Sequence, residues 1–265
     1  MNFTSKFKLF TLLSKNTIKF YSQLQQKKYR KFYKLFLAEG EKTIKEFLKE
    51  NFEVEIILIS DNKYLLEDNY KKFQDKVEKV SEETIKKISS FKSPQEIIAV
   101  FKIPEYIINF SEIEKELNIV LDNIKDPGNM GTIIRIADWF GIKNIICSDE
   151  SVDTFNPKVV QASMGSLARV KVHHSDINHI LEKTNKKIYG TYLEGENIFT
   201  SNLENSGYIL MGNESKGIRK DFNKYVTNKL FIPPFSALNE TVDSLNISIA
   251  TGIVCAEFRR RNYSK

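Results

Sequence analysis

At 265 residues, against roughly 150 for a typical domain, the chain has room for one or two domains, and we read two. Its 41% hydrophobic, 28% charged and 12% aromatic residues, with only 11 Gly and 6 Pro, exclude fibrous and disordered classes. The net charge of +6 is uneven: residues 1–110 hold 21 basic and 15 acidic residues and residues 111–265 hold 19 of each, with nine positive charges from Lys6 to Lys34 before the first acid, Glu39. A basic leading segment suits nucleic acid or an anionic membrane surface, or is simply a solvated lysine-rich face.

The chain opens MNFTSKFKLFTLLSKN, whose apolar patch is too short for a secretory core and has no small-residue cleavage site, so no signal peptide is read. No apolar run approaches the roughly 18 residues of a membrane span, and a soluble, cytoplasmic protein is expected. Gly40 punctuates the start of a helix over Glu41–Asn51 that puts Ile44, Phe47 and Leu48 on one face. VEIILIS (Val54–Ser60) reads as a buried strand, followed by a Lys-rich helix from about Tyr64. Ser81, with Glu82 and Glu83 behind it, opens a helix through Ile85 and Ile88, which Ser93-Pro94 ends before the strand EIIAVFK. Residues 1–103 thus form a small α/β domain and residues 104–117, opened by Pro104 and rich in Glu, a linker.

Residues 118–265 alternate as crossover units on a parallel sheet, giving an overall α/β class. Strands are predicted at 118–123, 143–147, 169–173, 187–193, 207–212 and 229–232. One helix begins near Met130 and ends at Phe140, with Asn129 as its N-cap, and a long final helix begins at about Ser244, which caps it. In that last helix Leu245, Ile247, Ile249, Ile253, Val254 and Phe258 cover nearly the whole circumference, which calls for burial in this chain or against a partner and makes a homodimer the expectation. Cys147 and Cys255, isolated in apolar stretches, read as buried reduced thiols.

Chemistry is sought on three loops. KDPGNMG joins an apolar strand to a helix, where Gly128 and Gly131 allow close approach of a ligand to the backbone. It is neither the dinucleotide fingerprint nor a phosphate-binding loop, which removes the main support for a dehydrogenase or P-loop enzyme. Gly131, Arg135 and Asp138 share the helix face opposite the apolar stripe; Arg135 is there either for a ligand at the strand's carboxyl edge or for a surface ion pair with Asp138. GYILMGNESKGI places Gly212, Glu214 and Gly217 at a second turn, and FIPPFSALNETVDSLNIS is the third segment. His173, His174 and His179 in KVHHSDINH lack zinc spacing, and no metal is expected.

Together N-M-G-T-I-I-R (Asn129–Arg135), M-G-N-E-S-K-G-I (Met211–Ile218) and I-P-P with S-L-N-I-S (Ile232–Ser248) resemble, in order and spacing, the three motifs of the SpoU (TrmH) family of RNA ribose 2'-O-methyltransferases, over residues 117–261. LSKNTIKFYSQLQQKKYRKFYKLFLAEGEKTIKEFL and SFKSPQEIIAVF resemble the substrate-binding domain that precedes the catalytic domain in many members. The resemblance implies a SPOUT-type α/β methyltransferase domain with a trefoil knot, S-adenosylmethionine as cofactor, and a homodimer with sites at the subunit interface. By residue it implies Arg135 as the catalytic arginine, Asn129, Glu214, Ser244 and Asn246 as its polar partners, and Met211, Gly212, Ile232 and Leu245 around the cofactor. The third motif departs from the family's usual I-P-M in having Pro234, and its stretch Phe235–Asp243 is longer and lacks glycine.

Guanidinium normally stays protonated, so Arg135 is read as positioning the ribose-phosphate and stabilising a developing alkoxide, with Asn129 and Glu214 orienting it; direct proton abstraction by Arg135 is the alternative. Lys27, Lys28, Arg30 and Lys31, interleaved with Tyr29, Phe32, Tyr33 and Phe36, read as the RNA-binding surface. Structured RNA, ribosomal rather than transfer RNA, is the expected substrate. A non-catalytic RNA-binding or ribosome-assembly factor of the same fold is the other reading.

Overall fold

The described residues open with helices Lys15–Gln23 and Lys27–Tyr33, the first capped by Ser14, whose side chain accepts from Thr17 N. The structure, a computed structural model, describes residues 13–235 and 244–261. The opening basic residues Lys6 and Lys8 and most of the longer third-motif stretch, 236–243, therefore lie outside the described residues.

Two compact units divide the chain, one running up to Glu105 with Phe155–Ala168, the other Tyr106–Thr154 and Arg169 onward. The first is built on strands β1 (Leu35–Glu39), β2 (Val54–Ile59), β3 (Val77–Lys79) and β4 (Ile97–Lys102), in the order β1-β4-β2-β3. β4 is antiparallel to both its neighbours, and β2 and β3 are parallel. The expected helix after Gly40 spans Glu41–Lys49 and buries Ile44, Phe47 and Leu48. Phe47 joins Phe36 and Phe101 in an aromatic core that also takes in Phe155 of the inserted segment, 4.7 Å from Phe36. Ser81 caps the helix Glu82–Ile88 through Thr84 N. The Lys-rich helix expected from Tyr64 is instead a 3-10 turn, Asn62–Leu66, and a single α-turn, Asp68–Lys71. Among the side chains described there, only Tyr64 and Tyr70 are buried, edge to face at 6.0 Å, which leaves little apolar surface to hold a longer helix down.

The second unit holds seven strands: β5 (Leu117–Leu121), β6 (Asn144–Cys147), β7 (Lys171–His174), β8 (Ile188–Tyr192), β9 (Glu196–Asn197), β10 (Gly207–Met211) and β11 (Asn228–Phe231). Their order is β7-β6-β5-β10-β8-β11-β9 and every pairing is parallel. β5, β6 and β10 are buried throughout, which is why they read as continuous apolar runs. The chain leaves β5 toward β6 on one side and returns as β10 on the other, so β5 and β10 form a topological switch point, where parallel sheets place ligands at the carboxyl edge.

The helix after β5 spans Pro127–Trp139 and starts earlier than expected: Asp126, not Asn129, is its N-cap, accepting from Asn129 N at 2.7 Å, and Pro127 takes the first position, where no N–H is needed. The last helix spans Ile247–Arg261, and its cap is also displaced from expectation. Asn246, not Ser244, caps it, accepting from Ser248 N at 2.9 Å and Ser248 Oγ at 2.6 Å. This helix packs on Pro127–Trp139, where Gly252 faces Ile136, and buries Ile247, Val254 and Phe258. Burial is not complete around it: Ile249 is 57% and Leu245 46% exposed.

Candidate active site

Three segments converge at the carboxyl edge of β5 and β10, and asparagine side chains tie them together. Asn246 Nδ2, ahead of the last helix, donates to Asn129 Oδ1 at 3.0 Å. Asn129 Nδ2, in the first turn of Pro127–Trp139, donates to Glu214 Oε1 at 3.0 Å. Glu214 Oε2 in turn accepts from Asn213 Nδ2 at 3.2 Å, and that amide also reaches the carbonyl of Asn123 at 2.9 Å. Every donor in this relay points toward the carboxylate. Alignment of this kind polarises successive bonds in one sense, and Glu214 keeps acceptor capacity beyond the two amides.

The loop carrying Glu214 is closed on itself. Asn213 and Gly217 exchange backbone bonds of 3.0 and 2.9 Å, and Asn213 Oδ1 accepts from Ser215 N and Lys216 N at 3.0 and 3.1 Å. Gly217 sits at φ +66°, in the left-handed region. Gly212 has a different constraint: a Cβ there would lie 2.2 Å from the Gly217 carbonyl carbon and the Ile218 nitrogen, so only glycine lets strand and loop approach this closely. On the other side of the switch point, Asp122 is fully buried and accepts from Arg219 N at 3.0 Å and Arg219 Nε at 2.8 Å.

Arg135 is exposed and forms no hydrogen bond or ion pair among the described residues. The surface pair with Asp138 does not form, because Asp138 is held by Arg169, Nε to Oδ1 at 3.0 Å and Nη2 to Oδ2 at 2.7 Å. Nor do Asn129 and Glu214 hydrogen-bond to Arg135, and six residues on a helix carry it about 9 Å along the axis and roughly 120° round from Asn129.

Met211 is buried at the end of β10; Ile232, just past β11, is half-buried; Leu245 and Ser244 are exposed beside Asn246. An apolar purine fits this set of apolar side chains at two strand ends beside a loop pinned by Gly212. Among the described residues no cluster of His, Cys, Asp or Glu suits a metal. His173 is buried against Tyr106, its imidazole pushed below the ordinary range chiefly by desolvation, and His174 bonds Thr154 at 2.8 Å. Cys147 and Cys255 are buried free thiols whose pKa values burial raises, that of Cys255 to about 12.

A model of the SpoU rRNA Methylase family matches residues 116–256, and one of the MRM3-like substrate binding domain matches residues 15–99. The chain belongs to the SpoU rRNA methylase family. A TrmH-family structure from Porphyromonas gingivalis is 34% identical with a TM-score of 0.82, covering 95% of this chain and all of its own. An AdoMet-bound rRNA methyltransferase from Sinorhizobium meliloti is 28% identical with a TM-score of 0.82, covering 97% of this chain and 98% of its own. In Bacillus subtilis, the 23S rRNA (guanosine(2553)-2'-O)-methyltransferase RlmP is 27% identical over 246 residues, 91% of this chain and 95% of that protein.

The SpoU motifs thus bring Asn129, Glu214 and Asn246 together directly and leave Arg135 apart. Sequence reasoning passed over Asn213, Asp122 and Arg219. An Asn-Glu-Ser-Lys-Gly run is an Asx-turn signature, and an acid ending an apolar strand needs a cation, so both signals were there to read.

In the first unit, Lys27, Lys28 and Lys31 are exposed, with Lys28 Nζ 4.7 Å from the Tyr29 ring centroid. Phe32 is 77% exposed, whereas Phe36 is core. Arg30 must be withdrawn from the RNA-binding set: it is 2% exposed and its Nη1 donates to the carbonyls of Leu24 and Gln25, both at 2.8 Å, so it binds the two leading helices to each other.

Proposed function

We propose that residues 118–265 are the methyltransferase domain and residues 1–103 the RNA substrate-binding domain, joined by 104–117, of an enzyme that methylates a ribose 2'-hydroxyl of ribosomal RNA. The protein is an S-adenosylmethionine-dependent RNA 2'-O-methyltransferase. The full-length likeness to RlmP of Bacillus subtilis supports 23S rRNA as the RNA concerned. The observation that carries the assignment of the site is the Asn246–Asn129–Glu214 relay, which unites all three motifs at the switch point.

Bound S-adenosylmethionine supplies an electrophilic methyl group on a sulfonium; Met211, Gly212, Ile232 and Leu245 hold it. The chain's own residues must align the ribose oxygen with that methyl and manage its proton. Alignment alone removes several kcal/mol of barrier. Arg135, which forms no hydrogen bond or ion pair among the described residues, binds the ribose-phosphate and stabilises negative charge as it develops on the 2'-oxygen. Glu214, its carboxylate fixed by the Asn129 and Asn213 amides, orients the nucleotide, and Ser244 and Asn246 set the third segment against Asn129. Lys27, Lys28 and Lys31 contact phosphates irrespective of sequence.

A homodimer, a trefoil knot in the catalytic domain and a cytoplasmic location complete the proposal. Exposed Trp139, Leu245 and Ile249, and Arg135, which has no partner among the described residues, support a dimer whose sites take residues from both subunits. No described helix is long and apolar enough to cross a membrane. Mapping 2'-O-methylation of ribosomal RNA with and without the gene tests the function: loss of a single methylated ribose is expected, and an unchanged map overturns it.

A further inference from the structure

The loop after β10 continues past Gly217 into Ile218-Arg219-Lys220, and Arg219 is held there unusually firmly for an exposed cation. Its Nε and backbone N–H both donate to Asp122, a carboxylate with no solvent exposure. Its guanidinium carbon lies 4.5 Å from the ring centroid of Phe222. Yet its side chain is 44% exposed. Asp122 takes the Nε side of the planar fork, and among the described residues neither Nη makes a hydrogen bond. An arginine used only to neutralise Asp122 would gain most from a two-nitrogen grip; here one edge is anchored and the other is presented.

Its place makes this presentation useful. Asp122 directly precedes Asn123, whose carbonyl is tied to Asn213, and Asn213 is tied to Glu214, so Arg219 is anchored to the same bonded framework as the catalytic relay. Lys216 and Lys220, on the same loop, are exposed and have no ion-pair partner among the described residues. Asp122 is buried, it holds Arg219 through two hydrogen bonds, and two exposed lysines flank it. Such a set is built to receive an oxyanion at the edge of the active site.

We propose that Arg219, flanked by Lys216 and Lys220, is a positioning residue that grips a backbone phosphate of the substrate RNA next to the target ribose. The inference rests on the methyltransferase reading above. It assigns to the catalytic domain a phosphate contact separate from the lysines of the first unit, so that the strand is fixed on both the Arg135 and the Glu214 sides of the reacting sugar.

The test uses the full-length protein with undermethylated ribosomal RNA from cells lacking the gene, and compares Arg219→Lys, Arg219→Gln and the double variant Lys216→Gln/Lys220→Gln. Arg219→Lys keeps a cation for Asp122 but loses the fork. Its KM for RNA should rise about tenfold, as for loss of a charge-assisted bond, and its log-affinity against log-salt slope should flatten by about 0.7–0.9 per lost contact. S-adenosylhomocysteine affinity should stay within about twofold. The double lysine variant, which touches nothing buried, should flatten the slope as well, and it decides the question if Arg219 variants fail to fold. Unchanged RNA binding and slope in folded variants overturn the proposal. So does a loss confined to S-adenosylhomocysteine affinity, which would make the cofactor's carboxylate the oxyanion. Absence of methyl transfer by the unmodified protein would instead sink the reading on which the proposal rests.

Discussion

Replacing Gly212 by alanine should cripple cofactor binding while leaving the fold in place. The new Cβ would stand 2.2 Å from the Gly217 carbonyl carbon and the Ile218 nitrogen, and 2.5 Å from the Gly217 oxygen, all of it backbone that cannot swing aside. Comfortable contact begins near 3.5 Å, so the end of β10 and the loop must part by about 1 Å or more. The two Asn213–Gly217 backbone bonds, now 3.0 and 2.9 Å, would open to about 4 Å, beyond hydrogen-bonding range. At about 0.5–1.5 kcal/mol each, their loss removes about 1–3 kcal/mol, in line with ordinary overpacking. If the cofactor binds only the closed loop, its affinity falls by about 5- to 150-fold. Gly217→Asn is the control: its site is open and its φ of +66° is one that Asn tolerates, so its effect should be small. Calorimetric titration with S-adenosylhomocysteine measures both. Binding by Gly212→Ala within about twofold of the unmodified protein would refute the close-approach argument.

Arg135→Ala should retain S-adenosylhomocysteine affinity and lose methylation, measured with labelled cofactor; full activity removes it from the catalytic set. Asn129→Asp places a second carboxylate 3.0 Å from Glu214 Oε1, so kcat should drop by tenfold or more and partly recover as one acid is protonated at lower pH. Lys27→Gln/Lys28→Gln/Lys31→Gln should flatten the salt dependence of RNA binding without changing Tm, whereas Arg30→Met should lower Tm, since the buried Leu24 carbonyl and the partly buried Gln25 carbonyl lose their donor, at about 1–3 kcal/mol. Glu257, 6% exposed in its side chain, is held down to about 2 by Arg260 first and Arg261 second. Its folded value lies below the ordinary 4.5, so its stabilisation is complete above that value and lost as pH falls through about 2. Glu257→Gln should therefore flatten the acid limb of the unfolding curve, read by circular dichroism.

The parallel sheet was legible because its central strands are buried on both faces and show as apolar runs, and the three motif loops were legible because they follow those strands. Helix starts were less so. Asp126 and Asn129 are both good caps by type, and only the Pro between them, which favours the first helical position, decides for Asp126. Ser244 and Asn246 pose the same choice, settled when Asn246 accepts from the Ser248 N–H. Arg30 was indistinguishable from its lysine neighbours because burial depends on how two helices cross, which periodicity over seven residues does not report. The grouping of Phe155–Ala168 with the first unit was hidden for a related reason: Phe155 meets Phe36 across nearly half the chain, and no local pattern announces that contact.

Apart from Glu214, the bonded polar framework of the site is made of amides, and this bears on what it does. Asn246, Asn129 and Asn213 carry no charge to lose, so the bonds they donate do not depend on any titration of their own. Amides cannot take a proton from a ribose hydroxyl, and Arg135 is a poor base. On the proposed reading the framework supplies orientation and charge stabilisation, and proton removal is left to Glu214 or to water. These differ in pH dependence: if Glu214 accepts the proton, Glu214→Gln abolishes kcat at every pH, whereas if it only orients, Glu214→Gln, still able to accept amide bonds through its oxygen, keeps part of the rate and raises KM. A residual kcat above a few per cent with its slope against pH unchanged would assign Glu214 to positioning.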